Sequence, residues 1–154
     1  MNFQLNQGGY YQAMSWSAPS TEEIGNLLKT AKTVAVVGVS NKPDRASHQV
    51  AKYLIECGDY EVYLVNPLYD EVLGQKVYKS LEEIPVAIDI VDVFRKVVDL
   101  PPVFASALAI KAKNIWLQLG ISDLELANQA NAQGIGVVMD RCLKVDHAFF
   151  KTRS

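Results

Sequence analysis

Val34-Ala35-Val36-Val37-Gly38-Val39-Ser40-Asn41-Lys42-Pro43-Asp44-Arg45-Ala46-Ser47 decides the fold of this chain. Its apolar start has no polar alternation, which predicts a strand buried on both faces, as in a parallel sheet. The strand ends in Gly38, a polar and basic loop follows, and Ser47 opens a helical pattern. Backbone N–H groups at a helix start are unpaired and carry a partial positive charge, so a turn of this kind can hold a phosphate.

Outward from this turn, strands and helices alternate. Upstream, Ser20-Thr21-Glu22-Glu23 reads as a capping box, and Ile24, Leu27, Leu28 and Ala31 form one helical face. Thr33 to Val37 is the first strand. Val50, Ala51, Leu54 and Ile55 form the next helical face, which Gly58 stops. Glu61 to Val65 is a strand ended by Asn66-Pro67, with Val77-Tyr78 as a short extension further on. Ser80 to Glu83 reads as another capping box, cut short by Pro85. Ile88 to Phe94 is a strand, Pro101 and Pro102 suit the first turn of a helix, and Ile115 to Leu119 is a strand. Ser122 and Glu125 cap a helix that Gly134 closes, and Ile135 to Met139 is the last strand. Arg141 to Ser154 reads as a mixed surface tail. Five alternations predict an α/β fold, with a five-stranded, mainly parallel sheet and helices on both faces. Residues 1–19 read as a poorly ordered leader, whose aromatics pack on the body or on a partner, and 20–154 as a single domain.

Bulk properties narrow the function. The 154 residues are 49% hydrophobic and 21% charged, with net charge -2, so no basic nucleic-acid surface is expected. No apolar run reaches the ~20 residues of a membrane span. The N-terminus lacks the basic start and apolar stretch of a signal peptide. Two cysteines, Cys57 and Cys142, suit a reducing cytoplasm rather than a disulfide scaffold.

In open α/β sheets, ligands sit beyond the C-terminal strand ends, where strand order reverses. The endings Gly38-Val39-Ser40, Asn66-Pro67, Phe94-Arg95-Lys96, Gln118-Leu119-Gly120 and Met139-Asp140-Arg141-Cys142 are therefore expected to converge on one cleft. A dinucleotide fingerprint needs Gly-x-Gly-x-x-Gly, but Ser40 and Pro43 stand where its second and third glycines belong. An NAD site also wants an acidic residue at the second strand's end, and Asn66 is there instead. Arg95 and Arg141 at strand ends read as phosphate donors, while Lys42, Lys96 and Lys144 read as solvated. His48 reads as a helix-start residue near phosphate and His147 as a packing or surface histidine. Two histidines and two distant cysteines make no zinc site by spacing. Cys142, beside Arg141, reads as a buried small side chain, with a mixed disulfide to a thiol ligand as the alternative. No Ser–His–Asp or Cys–His arrangement and no paired acid and base is legible.

The segments Val36-Val37-Gly38-Val39-Ser40, Val65-Asn66-Pro67, Val91-Asp92-Val93-Phe94-Arg95, Ile115-Trp116-Leu117-Gln118-Leu119-Gly120-Ile121 and Val138-Met139-Asp140-Arg141-Cys142 occur here in order. In these the chain resembles the small single-domain CoA-binding proteins of bacteria and archaea. More distantly, it resembles the CoA-binding domain of the succinyl-CoA synthetase alpha subunit. The likeness runs from about Ile24 to Phe150. It implies a three-layer Rossmann-like fold with coenzyme A as ligand. It places Gly38, Val39 and Ser40 near the pyrophosphate, with Arg45 and Ser47 closing the loop. Asn66 and Pro67 would flank the adenosine, Val93, Phe94 and Arg95 would form the next wall, and Gln118 and Gly120 would lie towards the pantetheine. The synthetase's phosphorylated histidine belongs to a separate domain, and neither His48 nor His147 replaces it by position. The resulting expectation is a cytoplasmic, non-catalytic module for CoA or an acyl-CoA, with a homo-oligomer or an acyl-CoA enzyme as possible partner. An NAD(P)-linked or acyl-CoA-processing enzyme stays open as an alternative, as does a subunit whose surface matters and whose cleft is empty.

Overall fold

The computed structural model describes residues 3–5, 11–13 and 15–153, with side chains from Ser15 onward. Within the predicted leader, β1 (Phe3–Leu5) and β2 (Tyr11–Ala13) pair antiparallel, Gln4 opposite Gln12. Tyr10 and the side chain of Tyr11, assigned above to packing or self-association, lie outside the described residues. Trp16 does pack on the body: its indole Nε1–H donates to the Val137 carbonyl at 2.7 Å.

The rest is an alternation. α1 (Thr21–Thr30) leads to β3 (Thr33–Val37), α2 (Ala46–Cys57) and β4 (Glu61–Val65). The short β5 (Glu71–Val72) and β6 (Gln75–Tyr78) come next, then β7 (Ile90–Val93) and α3 (Leu100–Ala109). The chain ends with β8 (Asn114–Leu117), α4 (Leu124–Ala132), β9 (Gly136–Val138) and α5 (Leu143–Lys151). The predicted capping box at Ser20 forms: its Oγ accepts the Glu23 N–H at 3.1 Å, and the Glu23 carboxylate accepts the Ser20 N–H at 2.9 Å.

The sheet has seven strands in the order β5-β6-β4-β3-β7-β8-β9, not the five expected. β6 pairs parallel with β4, Leu64 opposite Val77, and β5 folds back antiparallel on β6. Two and four residues are too few to show a hydrophobic period, so the pattern undercounted this edge. The parallel strands β3, β4, β6, β7, β8 and β9 stand in the spatial order third-second-first-fourth-fifth-sixth, the doubly wound arrangement. Its strand order reverses between β3 and β7, which pair directly, Val37 opposite Val93.

Both faces of the sheet are covered. One carries Val91, Ile115 and Leu117 against Phe104 and Ala107 of α3 and Ala127 and Ala130 of α4. The other carries Val36, Leu64 and Trp116 against Ile24 of α1, Val50 and Leu54 of α2, and Leu143 of α5. The predicted surface tail is thus corrected: α5 is an amphipathic helix with Leu143, Asp146 and His147 buried. Two caps also differ from expectation. Asp123, not Ser122, caps α4 by accepting the Leu126 N–H at 3.0 Å. Ser80 makes no side-chain cap, and the Glu83 carboxylate accepts the Lys79 N–H instead. Among the described residues, no helix is long and apolar enough to cross a membrane.

Candidate functional site

β3 ends where the chain must turn sharply into α2. Gly38 makes the turn with φ +91°, a left-handed conformation that side chains resist. Its N–H donates to the Val65 carbonyl, and the Phe94 N–H donates to the Val37 carbonyl, both at 2.9 Å. The C-terminal ends of β3, β4 and β7 are therefore pinned together at the switch point.

The loop after Gly38 is tied to the helix it feeds. The Ser40 N–H donates to Ser47 Oγ at 3.0 Å. The Ser40 carbonyl is 2.8 Å from His48 Nδ1, so that nitrogen carries the proton. Arg45 is the N-cap of α2 and supplies no side-chain cap. The first-turn N–H groups of α2 thus face the loop without an internal acceptor. A cavity of about 330 Å³ opens here, walled by Gly38, Ser40, Lys42, Arg45, Ser47 and Phe94, with Tyr69. A second cavity of about 420 Å³ lies along the same sheet edge. Val37, Val65, Pro67, Leu81 and Val103 give it an apolar floor, and Lys79 and Arg95 supply cations.

The predicted residues divide into three groups. Gly38, Ser40, Arg45, Ser47 and Phe94 meet in the first cavity, and Pro67 and Arg95 in the second. Val39 and Val93 are fully buried beneath them. Asn66 is buried and acts as a clamp: its Nδ2 donates to the Val39 carbonyl at 2.8 Å, and its Oδ1 accepts the Leu68 N–H at 2.9 Å. Gln118, Gly120 and Arg141 wall neither cavity. They follow β8 and β9, one and two strands from the switch point, each step adding about 4.8 Å. Gln118 Oε1 accepts the Leu143 N–H, and the Gly120 N–H donates to Asp140. Arg141 is held by Asp146 through two bonds, at 2.7 and 2.9 Å, which raise its pKa further above the usual value.

Sequence reasoning missed several wall residues. Lys42, read as solvated, lies in the first cavity. Lys79 has no assigned role in the sequence, and Ser80 reads there only as a helix cap, because β6 reads only as an extension. Their signal is position, immediately after a parallel strand, where such sheets bind ligands. Lys79 Nζ is held at 2.9 Å by both the Tyr69 carbonyl and Asp70.

The strand order and the turn at its reversal define the doubly wound, Rossmann-like class. Residues 32–148 match the family described as CoA binding domain, and the chain belongs to that family. It is 44% identical over 133 residues to YneT of Bacillus subtilis (strain 168), covering 86% of this chain and 98% of that protein. A solved structure from Pyrococcus horikoshii OT3 is 37% identical with a TM-score of 0.82, covering 90% of this chain and 99% of that one. A shorter stretch, 57 residues at 44% identity, resembles the alpha subunit of ADP-forming acetate–CoA ligase II from Pyrococcus furiosus. That match covers 37% of this chain and 12% of the subunit.

Proposed function

We propose that the chain binds coenzyme A or an acyl-CoA across the C-terminal sheet edge, as a module that performs no reaction itself. The observation that carries this reading is the glycine turn at the strand-order reversal, facing an uncapped helix start. Backbone N–H groups and the cations Lys42 and Arg45 then suit a pyrophosphate. Lys79 and Arg95, beside the apolar floor of the second cavity, suit a ligand that carries another phosphate and an apolar portion. Asn66 at the second strand's end puts no carboxylate near the 3′-phosphate of the CoA ribose. Similarity to a CoA ligase subunit supports the same ligand class.

The non-catalytic part of the reading rests on the walls. Among the described residues lining the two cavities there is one carboxylate, Asp99, and no histidine or cysteine. The walls do hold hydroxyls and amines, Ser40, Ser47, Ser80, Ser106, Lys42, Lys79 and Tyr69, but a hydroxyl nucleophile needs an adjacent base to activate it, and neither wall supplies a histidine for that role.

Isothermal titration with CoA, acetyl-CoA, NAD and NADP tests the proposal. The expected order is CoA or acetyl-CoA well ahead of both nicotinamide nucleotides. Tighter binding of NAD or NADP, or turnover of an acyl-CoA by the purified chain, would overturn it.

A further inference from the structure

The edge of the sheet opposite the glycine turn gathers residues that the sequence keeps far apart. Cys57 is the last residue of α2, Gly58 follows with φ +75°, and Asp59 comes next. The left-handed glycine reverses the chain so that Cys57 and Asp59 present their side chains together. α5 packs against α2 and brings in His147, which is 6% exposed. One ligand atom from each of the three lies within 4.8 Å of the others.

We propose that Cys57, Asp59 and His147 form a second site, which takes a borderline-soft divalent cation of the zinc class. The donors are one sulfur, one carboxylate oxygen and one imidazole nitrogen. That mixture suits zinc and disfavours magnesium or calcium, which take oxygen. Tetrahedral zinc with bonds of about 2.0–2.3 Å holds its ligands about 3.5 Å apart. Closure around a cation therefore asks for about an ångström of movement, from a half-exposed Asp59 and a Cys57 at a helix end.

The imidazole is already oriented for this role. Tyr53 Oη bonds His147 Nδ1 at 2.7 Å, and His147 Nε2 faces Asp59 Oδ2 at 2.9 Å. A partner on the far ring nitrogen is the usual outer support of a metal-ligating histidine. In the metal-free protein, the Nε2–H that donates to Asp59 Oδ2 occupies the line on which the cation would sit. Cys57 is a free thiol whose Sγ–H makes a bond to the Leu54 carbonyl at 3.3 Å, a weak contact to surrender. Lys151 Nζ donates to the same Asp59 oxygen at 3.2 Å. This exposed ammonium is a competitor and must swing away when the cation enters. Asp59 and His147 also wall a cavity of about 640 Å³, which gives a cation a route in from solvent. Binding deprotonates the thiol, whose proton goes to solvent, and displaces the Nε2 proton, so that the ligating imidazole carries its hydrogen on Nδ1 and donates it to Tyr53 Oη. A helix-docking network of Tyr53, His147 and Asp59, with Cys57 packed against the core beneath it, is the competing account, and it predicts no metal uptake.

The test uses the tag-free full chain, stripped with chelator and dialysed against zinc or cobalt(II). One zinc per chain is expected at micromolar free metal. Cobalt is expected to give thiolate-to-metal charge transfer and a tetrahedral ligand-field spectrum. Cys57→Ser and Asp59→Asn, checked for folding by circular dichroism, should each weaken zinc binding tenfold or more. Zinc affinity unchanged in both variants, substoichiometric zinc, or a purely octahedral cobalt spectrum overturns the site. CoA titration of the same Cys57→Ser protein should match the parent chain. The CoA reading and the metal site therefore stand or fall separately.

Discussion

The backbone carbonyl of Phe94 stands against Gly38 so closely that a β-carbon on Gly38 would come within 3.0 Å of its oxygen. The obstacle is backbone of the residue that follows β7, itself tied by its N–H to the Val37 carbonyl, so it cannot swing aside as a side chain would. The two strands that bound the crevice are packed to glycine tolerance at their ends.

Gly38→Ala is accordingly expected to damage the fold before it reports on ligand. Positive φ and the clash together should cost about 2–4 kcal/mol. Urea denaturation measures this, and a loss under about 1 kcal/mol would show that the turn relaxes easily.

Arg45→Ala and Arg95→Ala are the informative binding variants. Neither side chain is buried, so thermal stability should hardly change. Each should weaken CoA binding by about 1–3 kcal/mol, the range for one charge-assisted hydrogen bond, and reduce its salt dependence. Titration at two ionic strengths checks both effects. Affinity equal to wild type in both variants would place the ligand elsewhere.

Asn66→Asp replaces a donor with a carboxylate facing the Val39 carbonyl. It should destabilise the fold by about 2–3 kcal/mol through an unsatisfied buried group. Above the carboxylate's titration it should also weaken CoA binding more than Asn66→Ala does. Equal affinities for the two variants would mean that Asn66 acts only as a loop clamp.

Asp92 predicts a particular pH dependence. It lies in β7 between Val36 and Trp116, fully buried, and neither carboxylate oxygen has a hydrogen-bond partner among the described residues. Desolvation pushes its pKa well above the usual carboxylate value. The folded state therefore holds this proton more tightly than the unfolded chain. The associated stability is full below the unfolded pKa of about 3.9 and is lost as pH rises towards the folded pKa. Relative to Asp92→Asn, the parent chain should lose ground steadily from acid to neutral pH in urea titrations. A difference that stays constant with pH would mean the carboxyl finds a partner.

Where local chemistry decided structure, the sequence was readable. The Ser20 box, the glycines at 58 and 134, and the apolar runs of β3 and β7 act through neighbours a few residues away. The turn of the candidate site was legible for the same reason. Pieces too short for a period were not: β5 and β6 emerge only from pairing with β4. α5 was missed because its inward face carries Asp146 and His147 beside Leu143, while Val145 and Phe149 are exposed, which breaks the expected apolar stripe. The meeting of Cys57 with His147 was invisible to spacing, since packing of α5 on α2 creates it.

The central placement of β3 has a consequence for how the molecule is made. Its first neighbour, β4, follows after one helix, but its second, β7, is supplied only after the chain has built β4, β5 and β6 on the other side. A growing polypeptide that has reached Glu83 can already bend at Gly38, yet the groove beside that bend has a single wall. Sequence-distant pairing is slow to form, so the mouth of the cleft is completed late in assembly.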